Sequence, residues 1–222
     1  DSLTHPVYIQ ESLTTPSNTN FETGGGYWRK DPKNSTWLCK QPDGSIPVIP
    51  GSPNSWIVAP YGNYIYNDSS YIISSCYDLT EEERLIFQMK YWLTSESGKD
   101  GSNVQYSYDD GKTWHLLDTN DYGWAWGWYT EQVEALNEIG WSGTSNGWET
   151  VRQLLPTALN SEPKVNFRIS WASDSITNYR GIAVDDVEIF AAPPDIGVLS
   201  IDSLEDDCQY ANPDKVTISI KN

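Results

Sequence analysis

The chain has 222 residues, with 31 Asp and Glu against 14 Lys and Arg and a formal charge of -17. That balance excludes a surface of clustered cations, so nucleic acid and anionic lipid are not expected partners, whereas divalent cations suit it. The 11 Trp and 14 Tyr beside a single Met fit an extracellular β-protein or sugar-binding module better than an intracellular α/β enzyme.

Residues 1–19 are rich in Ser, Thr and Pro and read as a linker or first edge strand. Asp1 to His5 lacks the basic and apolar segments of a secretion signal. No apolar run nears the ~20 residues of a membrane span, so no membrane insertion is expected. The chain reads as an internal piece of a longer secreted precursor. From Phe21 to about Tyr77, frequent Gly, Pro, Asn and Ser predict long loops between short strands, with turns at Pro42-Asp43-Gly44 and Pro53-Asn54.

Thr80–Arg84 and Thr130–Ile139 are the two stretches that could be helical, and both are short. In Ile86–Leu93, Phe87, Met89, Tyr91 and Leu93 alternate with Ile86, Gln88, Lys90 and Trp92. Val165–Trp171 sets Val165, Phe167, Ile169 and Trp171 against Asn166, Arg168 and Ser170. A period of two marks a half-buried antiparallel strand. Glu149–Leu155 and Gly181–Phe190 are further strands.

Asn103–Tyr108 and Thr113–Leu117 are expected to pair as a hairpin. Between them Ser107, Asp109, Gly111, Thr113 and Trp114 fit the Asp-box pattern S-x-D-x-G-x-T-W. Asp109 and Asp110 can accept local backbone N–H groups and Gly111 can take positive φ, while Trp114 folds back over the turn. A propeller would need several such boxes, and this chain has one. Short strands with long loops predict an all-β, antiparallel β-sandwich. Ala191-Ala192-Pro193-Pro194 breaks the pattern, making 192–195 a linker and 196–222 the start of a partial immunoglobulin-like domain.

Cys39, Cys76 and Cys208 contain no CxxC pair. A Cys39–Cys76 disulfide is the favoured arrangement, with Cys208 pairing outside the chain; three free thiols are the alternative. No catalytic residues are expected. His5 and His115 are isolated, no nucleophile elbow or zinc motif occurs, and Glu81-Glu82-Glu83 reads as a solvated turn. Phe167-Arg168-Ile169-Ser170 is superficially similar to the sialidase arginine motif, but Arg168 reads as an outward residue of a regular strand. In Trp124-Ala125-Trp126-Gly127-Trp128-Tyr129, an extended chain would place Trp124, Trp126 and Trp128 on one face as a sugar-stacking platform. Burial of these indoles at the sandwich edge is the alternative.

Asn20-Phe21-Glu22 with Gly25, Gly26 and Trp28 resembles the opening of MAM-like jelly rolls, and Gly181-Ile182-Ala183-Val184-Asp185-Asp186-Val187-Glu188-Ile189 resembles their closing strand. With the Asp-box hairpin between them, residues 20–191 resemble the MAM-like jelly-roll modules of large Bacteroidetes type IX-secreted surface proteins and are similar to reelin subrepeats. Ser75 stands where the former modules usually have Pro, and Cys39 has no fixed counterpart. In this fold the first and last strands lie close, and the resemblance implies a structural Ca²⁺ held there by Glu22, Asp185 and Asp186. Strand parity with Val187 and Ile189 points Asp185 inward.

The expected function is a non-catalytic, calcium-stabilised adhesion or binding module of a secreted or cell-surface protein. Its partner would be a glycan or a cell-surface protein. The alternatives are a structural spacer that meets only neighbouring domains and the secretion machinery, or an accessory domain of a secreted peptidase or glycosidase.

Overall fold

The computed structural model describes residues 12–81, 83–118, 124–129, 131–193, 197–201 and 218–221, the last two stretches by backbone alone. Contacts divide the chain into two units, Asp1–Ala191 and Ala192–Asn222.

The first unit opens with short strands: β1 (Leu13–Thr14), β2 (Ser17–Thr19), β3 (Trp28–Asp31), β4 (Leu38–Lys40) and β5 (Ser55–Ile57). β6 (Ser69–Ser74) and β7 (Tyr77–Asp78) lead into the long β8 (Leu85–Thr94), then β9 (Gly101–Ser107) and β10 (His115–Leu116). β11 (Ala125–Trp126), β12 (Glu131–Val133), β13 (Glu138–Ser142), β14 (Glu149–Leu154), β15 (Asn166–Ala172) and β16 (Gly181–Ala191) complete it.

Two sheets result. Sheet one runs β12-β13-β9-β15-β6-β3 with β10 beside β9, and sheet two runs β11-β14-β8-β16-β5-β4 with β2 beside β16. Within both sheets every pairing is antiparallel. The chain crosses repeatedly between the sheets, for instance from β5 to β6, from β8 to β9, from β13 to β14, from β14 to β15 and from β15 to β16. The result is a jelly-roll β-sandwich.

The alternating patterns explain the core. Phe87, Met89, Tyr91 and Leu93 of β8 face inward against Phe167, Ile169 and Trp171 of β15, all buried. Phe87 and Phe167 meet across the sheets at 5.2 Å between ring centroids, and Tyr77 adds an edge contact to Phe167 at 5.7 Å. Such contacts add to the burial of aromatic area itself.

The two stretches that could have been helical are not. Thr80 and Glu81 form a turn, and residues 131–139 supply no helix. Instead β12 pairs back on β13, with Glu131 opposite Gly140 and Val133 opposite Glu138. Asn137, at φ 55°, closes that hairpin. Val133 buried on one side, with Glu131 and Gln132 exposed, is the pattern of an edge strand, which a short window does not separate from a helix. Among the described residues the helical content is one 3₁₀ turn, Thr157–Leu159.

In the second unit β17 (Gly197–Ile201) pairs antiparallel with β18 (Ile218–Lys221). Cys208 and His5 lie outside the described residues.

Candidate functional site

β16 carries a bulge: its register against β8 slips between Asp185 and Glu188, with Asp186 at φ 46°. Val184 and Val187 both reach the core, three residues apart, so the strand's parity changes between them. Asp185 stands opposite Lys90, on the side of the sheet away from the core-facing pair Val184 and Tyr91. The inward direction expected for Asp185 from parity is therefore corrected, because the bulge absorbs one residue.

Asp185 is nevertheless fully buried. Its Oδ1 accepts the Asp186 N–H at 2.7 Å, while Oδ2 has no hydrogen-bond partner. Burial pushes its pKa up to about 7, and repulsion from Asp186 and Glu22 adds to this against the Asp186 N–H and the nearby Ser52 hydroxyl. Glu22 accepts the Asn54 N–H at 2.7 Å, the Asn54 side-chain amide at 3.1 Å and the Ser52 hydroxyl at 3.3 Å. The Asn20 carbonyl also takes the Ser52 hydroxyl at 3.3 Å. Asp186 is engaged elsewhere, 2.7 Å from Lys90 Nζ in a partly exposed ion pair. Two of the three expected acids thus share one environment and the third does not.

Cys39 lies close enough to these acids to feel them: its thiol is pushed up to about 11, first by burial and then by Asp185 and Glu22. It stays protonated at neutral pH. Its Sγ faces the Gly24 carbonyl at 3.4 Å, whereas Cys76 Sγ faces Asn166 Oδ1 at 3.8 Å. Both cysteines are free. The expected Cys39–Cys76 bridge is corrected: Cys39 belongs to β4 of sheet two, and Cys76 follows β6 of sheet one.

At the opposite edge of sheet two, Trp124 is 45% and Trp126 68% exposed, whereas Trp128 is 8% exposed. β11 pairs with β14, Trp126 opposite Arg152, and the Trp124 carbonyl accepts the Leu154 N–H. Gly127 at φ 64° then ends the extended run. Trp128 turns into the core, donating its indole N–H to the Leu117 carbonyl at 2.8 Å. The expected face of three indoles is corrected to two.

Trp126 heads a row of polar side chains in register across sheet two. Arg152 donates through Nε to Gln88, Gln88 donates to Glu188 at 3.0 Å, and Asn18 donates to the other Glu188 oxygen. No periodicity argument reveals this row, because it depends on strand order.

A second acid cluster lies outside the residues that the sequence singled out. Carboxylate oxygens of Glu96, Asp100 and Asp174 lie within 4.8 Å of one another. Asp100, fully buried, accepts the Tyr64 hydroxyl at 2.7 Å and the Asp174 N–H at 2.6 Å. It thereby ties three loops together, and burial raises its pKa. Glu96 and Asp100 are four residues apart in the β8–β9 loop, but Asp174 is distant in sequence.

The Ser107–Trp114 hairpin forms as its residue types require. Asp109 Oδ1 accepts the Lys112 and Thr113 N–H groups at 3.0 and 2.9 Å and the Ser107 hydroxyl at 2.8 Å. Ser107 Oγ accepts the Gly111 N–H at 3.0 Å, and Gly111 sits at φ 78°. Asp109 is a turn-builder.

Residues 63–189 match the reelin subrepeat B family. The chain belongs to that family. The reelin subrepeat B segment contains Trp124, Trp126, Asp185 and the hairpin, while Glu22 and Cys39 precede it. No curated protein matches the chain in sequence. Among solved structures, the K2 cleaved adhesin domain of Lys-gingipain is 15% identical with a TM-score of 0.48, over 79% of this chain and 99% of that one. The K1 cleaved adhesin domain of Lys-gingipain from Porphyromonas gingivalis W83 is 16% identical with a TM-score of 0.46, over 81% and 99%. A xylan-binding domain of CBM 22 is 11% identical with a TM-score of 0.47, over 79% and 94%. At this level of superposition the likeness transfers neither ligand nor activity to the reelin subrepeat B chain.

Proposed function

We propose that this chain is a non-catalytic extracellular binding module that engages glycan through Trp124 and Trp126. The observation that carries this is the pair of exposed indoles at the rim of the Arg152–Gln88–Glu188–Asn18 row. Exposed Trp faces stack on the apolar faces of sugar rings, and a neighbouring row of amides and charged groups can exchange hydrogen bonds with hydroxyls. Removing either indole should weaken binding at least ten-fold if it carries ~1.4 kcal/mol or more of the contact. Screening on a glycan array, followed by calorimetry of Trp124→Ala and Trp126→Ala, tests this. Binding that survives both substitutions refutes the platform, and no binding to any glycan leaves the spacer role.

A structural Ca²⁺ is part of the same reading. Glu22 and Asp185 would hold it, with the Asn20 carbonyl and Ser52 hydroxyl as neutral oxygens. The buried, unpartnered Asp185 Oδ2, with carboxylate, carbonyl and hydroxyl oxygens near it, supports a hard cation. Such an ion would neutralise two carboxylates and tie the 20–22 and 52–54 loops to β16. The secreted or cell-surface setting rests on the composition and on the MAM-like resemblance. Among the described residues no helix is long and apolar enough to cross a membrane.

A further inference from the structure

Arg168 leaves the outer face of sheet one, away from the Trp124–Trp126 face. Rings flank its guanidinium from both neighbouring sides: Tyr71 of β6 at 4.7 Å to the ring centroid, and Trp114 of the β9–β10 hairpin at 4.4 Å. Nε donates to Gln105 Oε1. Gln105 in turn donates to Glu138 Oε2 at 2.7 Å, and the fully buried Asn103 donates to the same oxygen at 2.9 Å. The chain of bonds sets Arg168 and Glu138 at the two ends of one cleft. Arg168 is half-buried, yet among the described residues it forms no ion pair and its two terminal nitrogens meet no hydrogen-bond acceptor. Burial lowers its pKa, the sign of lost hydration.

The cleft measures about 140 Å³ and is lined by Tyr71, Gln105, Leu136, Glu138, Arg168 and Ser170 among others. That is well below the ~300–1,000 Å³ of pockets for drug-sized ligands, so it admits one ring-sized polar molecule. A guanidinium held by rings and anchored through Nε presents its remaining N–H fork in a fixed plane, the geometry that matches a carboxylate bidentately. At the other end Glu138 Oε1 accepts no hydrogen bond from a described residue and suits a hydroxyl. The ligand therefore needs a carboxylate on one side and hydroxyls on the other.

We propose that this cleft binds a hexuronic acid residue, Arg168 taking its carboxylate and Glu138 and Ser170 its hydroxyls. The net charge of -17 opposes an anion, as do the Glu138 and Asp31 carboxylates whose field reaches Arg168; salt screens exposed charges beyond ~8 Å, and direct pairing with the guanidinium has to outweigh Glu138 inside the cleft.

The test is titration of the whole chain with methyl β-glucuronide and, separately, with the neutral methyl β-glucoside. The Arg168 Nε–H NMR signal of the unaltered protein is followed, with calorimetry of Arg168→Lys alongside. The expected result is a saturable shift of that signal by the glucuronide, at least ten-fold weaker binding of the glucoside, and a loss of ten-fold or more in Arg168→Lys. A glucuronide that moves the Trp124 and Trp126 indole N–H signals and leaves the Arg168 Nε–H signal unmoved would place binding on the indole face and overturn the proposal. An unmoved Nε–H signal, equal binding of both glycosides, or full affinity in Arg168→Lys would each overturn the proposal.

Discussion

At Asp185 a single carboxylate couples burial to proton binding and, in the proposed Ca²⁺ site, to the cation. Its folded-state pKa of about 7 lies above the ~3.9 of an unfolded aspartate. Between those values the folded chain holds a proton that the unfolded chain has lost, so stability of the cation-free protein falls as pH rises from about 4 to about 7 and levels off above. EDTA-treated protein should therefore show a larger contribution to Tm from this group at pH 5 than at pH 7.5. Millimolar Ca²⁺ should raise Tm more at pH 7.5 than at pH 5, since the ion competes with the proton. Asp185→Asn should raise the cation-free Tm at pH 7.5 and abolish the Ca²⁺ increment; a Ca²⁺ increment that persists in this variant would sink the site. Asp109 behaves oppositely. Its hydrogen bonds to Thr113 N–H and the Ser107 hydroxyl hold its pKa down at about 2, so its stabilisation is complete above about pH 4 and lost as pH falls towards 2. Asp109→Ala should lower Tm at pH 7 and match the unaltered protein near pH 2, as followed by circular dichroism.

The elements depend on close backbone approach as much as on side-chain packing. A Cβ added at Gly101, where β9 meets β13, would lie 2.2 Å from the Trp141 carbonyl oxygen. That oxygen is main chain and cannot swing aside, so the strands must part. Gly101→Ala should cost about 1–3 kcal/mol, with hydrogen-exchange protection lost first in β9 and β13. An unchanged exchange pattern would show that β13 does not need this approach. The β16 bulge is the other decision at this scale. It lets Val184 and Val187 both enter the core, while Asp186 pairs with Lys90 and Asp185 is buried near Ser52 and Glu22.

Over the whole molecule the excess of acid is distributed rather than paired. The ion pairs among the described residues are few and mostly exposed, and exposed pairs contribute little. With a sequence pI near 4.3, the chain should show no retardation of DNA in a mobility-shift assay at physiological salt. Retardation there would mean that a local cationic patch overrides the global charge. The same field should assist capture of divalent cations.

The two strands with period-two alternation, β8 and β15, were legible to within about two residues, because their apolar face is the buried one and hydrophobic pattern and burial are then the same information; β9, β14 and β16 were placed as closely without such alternation, β9 being buried on both faces. The Ser107–Trp114 hairpin was legible because all its hydrogen bonds are local. What depended on distance was not legible. Trp128 parted from Trp124 and Trp126 through one positive φ at Gly127, and Asp185 parted from strand parity through one bulge. Cys39 and Cys76 were separated by sheet assignment. The Arg168 cleft and the Arg152–Gln88–Glu188–Asn18 row each need several strands in a given order and register. Local chemistry along the chain determined an all-β sandwich with its turns and most of its core. Only the tertiary structure decided which polar groups meet, because the pairing of distant strands is set by the global packing of two sheets and not by any window of sequence.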